Sequence, residues 1–219
     1  MYLSLLLLDP RSREAHADLA DPYQMHRTIA RGFGEGAEAY RSARVLFRTE
    51  EGRNGCPFVL VQSLLEPDWR VLTARPRYLR CTPRVKELRP VVRANQHLAF
   101  RLRANPTVKR DGRRHPIWEP RQAGETLGDS AARLRRVEAA REQWLRRKGE
   151  EGGFAVEQVD IQSEPVQVCH RLDDRAVFNA VRFDGILRVT DAQAFAQTLE
   201  AGIGSGKAFG FGLLSVARF

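Results

Sequence analysis

The feature that most constrains this chain is the order of elements readable in its second half. His97–Arg103 alternates, with Leu98, Phe100 and Leu102 on one side and Arg101 and Arg103 on the other. That period of two predicts a half-buried strand with a basic outer face. Asn105-Pro106 ends it, and residues 106–128, rich in Pro, Gly and charge, read as a long loop. Ser130 then caps a predicted helix to Lys148. Leu134, Val137, Trp144 and Leu145 form its apolar stripe, and Arg133, Arg135, Arg136, Arg141, Arg146 and Arg147 crowd the rest. Gly152-Gly153 stops it. Strands follow over Phe154–Ile161, Val166–His170 and Ala176–Val189, then a helix from Thr190-Asp191 to Ala201, a glycine-rich loop and a last strand, Leu213–Phe219. Allowing a break within its second strand, this order is β-α-β-β-α-β, the ferredoxin-like succession.

The first half reads as a worn copy. Tyr2–Leu8 is a continuous apolar run stopped by Asp9-Pro10, which predicts a central strand. Asp21-Pro22 opens a helix over Tyr23–Ala30, with Asp as cap and Pro at the first helical position. Gly32, Gly34 and Gly36 weaken its continuation. Val45–Thr49 and Phe58–Leu64 read as strands, and Trp69–Arg80 as another possible strand broken at Arg75-Pro76. The expected fold is therefore α+β, two tandem ferredoxin-like domains, with residues 1–93 holding the His26 helix and 94–219 the glycine-rich loop. The apolar start lacks a basic leader and is too short to span a bilayer, so no membrane association is expected.

Charge narrows the partner. Lys and Arg number 36 against 27 Asp and Glu, and only four of the 36 are lysines. Arginine's planar fork fits phosphate and stacks on bases, so the excess points first to nucleic acid. Cys56, Cys81 and Cys169 are odd in number and contain no C-x-x-C, which argues against a zinc knuckle or a disulfide framework and fits a reducing, cytoplasmic setting. His16, His97, His115 and His170 show no metal-ligand spacing, so neither a metal nor a cofactor is expected.

Three patterns bear on chemistry. Gly202–Gly212 holds Gly202, Gly204, Gly206, Gly210 and Gly212 around Lys207. It is not a phosphate-binding P-loop: the first glycine would fall at Ala201, Ala208 stands where a hydroxyl is needed, and the loop leads from helix to strand. Bare backbone can lie close to phosphates, as Gly204 and Gly206 with Lys207 could here, or it can serve a tight turn needing positive φ. More glycines than a turn needs favours a partner. On the predicted helix, His26 follows Tyr23 by three positions, so both project from one face, with Arg27 adjacent and Arg31 one turn on. Cleaving RNA through its own 2′-hydroxyl requires a proton acceptor, a proton donor and stabilisation of phosphorane charge, and this set offers all three. A histidine that merely caps or packs is the plainer alternative. Lys109, Arg110, Arg113 and Arg114 cluster around Asp111-Gly112, either as a phosphate clamp or as a solvated loop.

Asp21-Pro22-Tyr23-Gln24-Met25-His26-Arg27, Phe100-Arg101-Leu102-Arg103-Ala104-Asn105-Pro106 and the loop Gly202–Leu214 occur in this order and spacing in one family. Val59-Leu60-Val61-Gln62-Ser63 followed by Pro67-Asp68-Trp69 matches it too. The chain resembles the type I-E CRISPR repeat-processing endoribonucleases, the CasE subunits of Cascade. That resemblance implies binding of the repeat hairpin and one metal-free cut at its 3′ base. The products would be a 2′,3′-cyclic or 3′ phosphate and a 5′-hydroxyl, and the protein would stay on the guide RNA beside the other Cascade subunits. It implies His26 as catalytic histidine, Tyr23 as assisting tyrosine and Arg31 as the basic residue beyond, where members often carry lysine. The basic hairpin of some relatives would fall at His170–Arg175 and is short here. RNA contacts are therefore expected from Arg27, Arg101, Arg103, Lys109, Arg110, Arg113, Arg114, Arg133, Arg136, Gly204, Gly206 and Lys207. The alternative is a subunit that holds an RNA hairpin without cutting it, which would need neither Tyr23 nor His26.

Overall fold

The computed structural model describes residues 1–34, 36–52, 54–171 and 174–218, and the side chains of all of these except 37, 170, 171, 174 and 175. The first half runs β1 (Tyr2–Leu7), α1 (Arg13–Ala20), α2 (Pro22–Ala30), a 3-10 turn (Arg31–Phe33), α3 (Ala37–Ser42), β2 (Leu46–Glu51), β3 (Pro57–Ser63), α4 (Arg70–Thr73) and β4 (Arg84–Glu87). Its sheet has the order β2-β3-β1-β4, every neighbour antiparallel. The largely apolar run at the N-terminus is central in the sheet, as expected, with its one serine buried. Leu6, Leu8, Met25, Ile29, Phe47, Val59, Val61, Trp69, Leu72 and Tyr78 pack into one core.

The second half runs β5 (His97–Ala104), β6 (Thr107–Arg110), β7 (Arg113–Pro116), α5 (Leu127–Glu151), β8 (Phe154–Ser163), β9 (Gln167–Arg171), β10 (Asp174–Phe178), β11 (Val181–Val189), α6 (Ala192–Ala201), a 3-10 turn (Lys207–Phe209) and β12 (Leu214–Arg218). Its sheet order, β12-β5-β11-β8, is that of the first sheet with the hairpins β6-β7 and β9-β10 set aside. Two ferredoxin-like units in tandem thus make up the chain. A second core forms around Phe100, Leu102, Trp144, Leu145, Phe154, Phe183, Leu187 and Phe195.

Several elements differ from expectation. Trp69–Arg80 is not a strand. Asp68 accepts the Arg70 N–H at 3.0 Å and starts the short α4 instead, and the fourth strand is Arg84–Glu87, exposed throughout and without alternation to reveal it. Residues 106–128 contain the hairpin β6-β7, turned by Asp111 and Gly112 at φ 48° and 75°. Asp-Gly is the pair such a two-residue turn prefers. The cap of α5 is Thr126, not Ser130: Thr126 Oγ1 accepts from Asp129 N–H while the Asp129 carboxylate accepts from Thr126 N–H, a reciprocal box that adds a turn. Within α5, Leu134 is exposed and Arg141 is buried, donating to Ile117 O and Ser163 Oγ. The run Ala176–Val189 divides between β10 and β11 at Asn179-Ala180.

The halves are joined by polar contacts. Arg48, only 3% exposed, extends from β2 and donates to Glu50 within its own strand and to Arg101 O, Leu213 O and Ser215 Oγ of the second half. Gln62 Nε2 donates to Leu199 O at 2.7 Å. No helix among the described residues is long and apolar enough to cross a membrane.

Candidate active site

The catalytic candidate sits where the halves meet. Asp21 accepts the Tyr23 N–H at 2.9 Å and Pro22 occupies the first turn, so α2 starts as its sequence demands. Met25, Thr28 and Ile29 are buried on the side of the first core. Arg27 projects to solvent, and His26, between these faces, is half-buried. Helix α2 packs against β9 and against the 3-10 turn at Lys207–Phe209. The His26 imidazole lies 6.4 Å from the Phe209 ring and 4.7 Å, edge to face, from the Tyr40 ring. Burial pushes the His26 pKa below its ordinary value, and a backbone hydrogen bond with Ala208 partly offsets this. A histidine so placed is neutral at neutral pH and able to take a proton. Tyr23 packs against a small cluster of Cys169, Phe178, Ala180, Phe211 and Phe209, which fixes its ring beside the loop. Arg31 opens the 3-10 turn after α2 and is exposed.

The glycine-rich loop is explained from within. All five glycines have positive φ, from 70° to 88°. A Cβ on Gly202 would stand 2.8 Å from Gly212 O, one on Gly206 3.0 Å from the Phe211 ring, one on Gly210 3.1 Å from the Phe47 ring, and one on Gly212 2.7 Å from Ile203 O. The loop's own backbone and packing account for these glycines, so their number does not by itself signal a partner. Its conformation presents Ala208 and Phe209 to His26 on one side and Gly204, Ser205 and Lys207 to a groove on the other.

That groove, about 470 Å³, gathers several of the predicted RNA contacts. Lys109 and Arg114 line it from the hairpin, Gly204 and Lys207 from the loop, and Arg147 and Lys148 from α5. Lys109 stands opposite Arg114 and Arg110 opposite Arg113 in the β6-β7 register. Like charges facing each other across a hairpin destabilise it, and an anion between them would relieve the repulsion. Lys207 donates to Ala201 O at 2.7 Å, and burial together with Lys148 lowers its pKa. Lys148 is paired with Glu151.

Other predicted contacts lie elsewhere. Arg101 and Arg103 do not form a basic outer face. Arg101 is held by Glu50 and by Asp184, each at 2.6 Å, and Arg103, 6% exposed, by Glu164 at 2.6 Å with its guanidinium against the Phe211 ring. Their alternation with leucines is real, but the second side meets other parts of the chain: Arg103 is buried there as a structural tie, whereas Arg101 is ion-paired with its side chain still 40% exposed. Arg133 is likewise largely buried against Glu125 and Glu119 O, whereas Arg136 is mostly exposed beside Glu119. Gly206 abuts Phe178 and Phe211. The short basic hairpin at 170–175 falls largely on side chains outside the described residues. Sequence reasoning missed Tyr40, Ala208, Phe209, Arg147 and Lys148. Arg147 and Lys148 were legible from their place on the predicted helix, but nothing local ties Tyr40 or Ala208 to His26. Among the described residues, no three His, Cys, Asp or Glu side chains gather as metal ligands would.

Comparison with known proteins follows the same lines. A family model described as CRISPR associated protein matches residues 1–218. The chain is 37% identical over 230 residues to the CRISPR-associated endoribonuclease Cse3 of Thermus thermophilus, covering 99% of this chain and 100% of that one. It is 31% identical over 222 residues to the Cascade subunit CasE of Escherichia coli K12, covering 99% of each. Its fold superposes with a TM-score of 0.78 on Thermus thermophilus Cse3 bound to an RNA representing a pre-cleavage complex, at 36% identity and covering 99% of this chain and 98% of that one.

Proposed function

Since the chain belongs to the CRISPR-associated family whose model spans its residues 1–218, we propose that it is an endoribonuclease that binds the CRISPR repeat hairpin, cuts once at its 3′ base and remains on the guide RNA as a Cascade subunit. The observation that carries this reading is the half-buried imidazole of His26, projecting from α2 between the Tyr40 ring and Phe209 of the glycine-rich loop. Its relatives named an endoribonuclease and a Cascade subunit support the two parts of the assignment.

The chemistry needs only the chain's own groups. The ribose 2′-hydroxyl attacks the adjacent phosphorus, the bond from phosphorus to the 5′-oxygen breaks, and a 2′,3′-cyclic phosphate and a 5′-hydroxyl result. Either neutral His26 takes the 2′-proton while water protonates the departing 5′-oxygen, or protonated His26 supplies that proton while water takes the one from the 2′-hydroxyl. Tyr23, on the same helix, hydrogen-bonds at the reacting phosphate. Arg31, with Arg27 beside it, offsets the charge that builds on the phosphorane oxygens. The hairpin stem's phosphates run along the groove of Lys109, Arg114, Arg147 and Lys207, with Arg110 and Arg113 at the hairpin tip. We place the division between the two units in the link 88–96, giving 1–93 and 94–219, and the activity in the cytoplasm, where Cys56, Cys81 and Cys169, joined by no disulfide, would stay reduced.

The test is cleavage of the repeat hairpin in EDTA. His26→Ala should slow cutting by about 10²–10⁴-fold while binding stays near wild type. A hairpin with 2′-deoxyribose just 5′ of the scissile phosphate should bind and stay whole. If His26→Ala cuts at the wild-type rate, or the deoxy hairpin is cut, this mechanism is wrong. Tight binding with no cutting by the wild-type protein would favour the non-cleaving subunit.

A further inference from the structure

Two buried polar atoms beside the proposed catalytic centre have no hydrogen-bond partner among the described residues: His26 Nδ1 and the Tyr40 hydroxyl. They belong to rings in direct contact, 4.7 Å between centroids and 81° between planes. Buried polar atoms without partners are uncommon, and two on touching rings ask for an explanation. Tyr40 is itself held from behind. Its ring meets Phe33 edge to face at 6.2 Å, and Phe33 meets Trp69 in the same way at 5.8 Å. Trp69 is anchored by donating to Ser4 Oγ in β1 at 2.9 Å, and it fills the space a Cβ on Gly32 would need, 2.5 Å away. An aromatic column therefore runs from the first sheet to His26, with Tyr40 as its last member.

We propose that Tyr40 is a positioning residue for His26, its hydroxyl pairing with Nδ1 when RNA enters and leaving the other ring nitrogen to move the proton. A phenol hydroxyl can accept from a protonated Nδ1 or donate to a bare one, so one group serves both protonation states of the imidazole. Which nitrogen of a histidine acts is set by the bond its other nitrogen makes. Burial drives the Tyr40 pKa above its ordinary value, so the phenol stays protonated and adds no charge of its own. The imidazole is meanwhile engaged by the Ala208 backbone. Substrate reaching His26 would take up the other ring nitrogen and leave Nδ1 to Tyr40. Tyr23 and Arg27 on the same helix remain available to the phosphate.

This inference rests on His26 being catalytic, and Tyr40→Phe tests it separately. The substitution keeps the ring and removes only the unpartnered hydroxyl, so thermal unfolding should not fall, and hairpin affinity should hold within about twofold, because removing an unsatisfied buried group is neutral or stabilising. Single-turnover cleavage should drop about 10–100-fold, the scale of losing a group that orients a working histidine. Nitrogen-15 spectra of the His26 ring, in complex with the uncleavable deoxy hairpin, should show one tautomer in wild type and a shifted or averaged pattern in Tyr40→Phe. Wild-type cleavage with an unchanged ring spectrum overturns the proposal. So does a loss of cleavage matched by equal losses of binding and stability, which would make Tyr40 part of the scaffold only. The two readings separate through His26→Ala: if that variant is inactive and Tyr40→Phe is normal, Tyr40 alone is misassigned, whereas a fully active His26→Ala removes both.

Discussion

Replacing Arg48 with methionine removes the main polar tie between the two halves at little cost in volume. The guanidinium donates to Glu50 Oε1 at 2.8 Å, to Leu213 O at 3.1 Å, to Ser215 Oγ at 3.1 Å and to Arg101 O at 3.3 Å. Its own burial lowers the Arg48 pKa, with the Glu50 carboxylate as the chief opposing influence. Methionine would leave two carbonyls, a hydroxyl and a carboxylate facing an apolar side chain. Breaking one side of a buried pair costs about 3–5 kcal/mol. Glu50 keeps Arg101 at 2.6 Å, so the lower figure, about 3 kcal/mol, is expected. For a chain of this size that is about 6–12 °C in Tm. Thermal and urea unfolding would measure it. In a Glu50→Gln background the loss should shrink, because less charge is left unpaired. Leu213 directly follows the glycine-rich loop, so Ala208 and Phe209 should also lose their registration on His26, slowing cleavage more than binding. A loss below about 1 kcal/mol, the worth of an ordinary exposed contact, would refute the view that this arginine sets the interface.

Two further substitutions separate scaffold from RNA surface. Gly212→Ala places a Cβ at φ +88° and 2.7 Å from Ile203 O. It should cost about 2 kcal/mol or more in unfolding experiments and impair cleavage through the loop, and an unshifted unfolding midpoint would mean the loop tolerates side chains. Arg147→Ala should leave unfolding unchanged, weaken hairpin binding and reduce the salt slope of log affinity by about one phosphate contact. Equal slopes for variant and wild type would place the stem outside this groove.

The legibility of the chain follows how local each signal is. The second unit can be read almost whole because Asp191 caps α6, Gly152-Gly153 ends α5 and β5 alternates, all signals within a few residues of the elements they define. The first unit is harder because its last strand, Arg84–Glu87, is an exposed edge with no hydrophobic face to show. The hairpin β6-β7 carries a readable Asp-Gly turn inside a segment whose composition resembles a loop. That His26 and Tyr23 share one side of α2 is legible because residues three apart on a helix are neighbours. Arg103 misleads because alternation tells which side of a strand a residue takes, not whether another part of the chain covers that side.

Tertiary cover also decides what surrounds His26. The groups placed at His26 by tertiary contact come from other segments: Tyr40 from beyond a stretch holding three glycines, Ala208 and Phe209 from the opposite end of the chain. The interdomain ties of Arg48 reach β5, β12 and Leu213, the residue that closes the same loop. The surroundings of His26 are drawn from both ferredoxin-like units, one supplying the imidazole and the Tyr40 ring and the other the Ala208 backbone and the Phe209 ring. Burial lowers the His26 pKa, and part of what buries the ring comes from across the seam. Loosening the seam should return the imidazole toward its ordinary pKa, since desolvation is the larger influence and is lost once water enters. On the proposed reading, Arg48, at the root of the loop, and Tyr40, against the ring, would bear on His26 from two directions: one by holding in place the loop that packs on it, the other by setting which ring nitrogen is left for the proton.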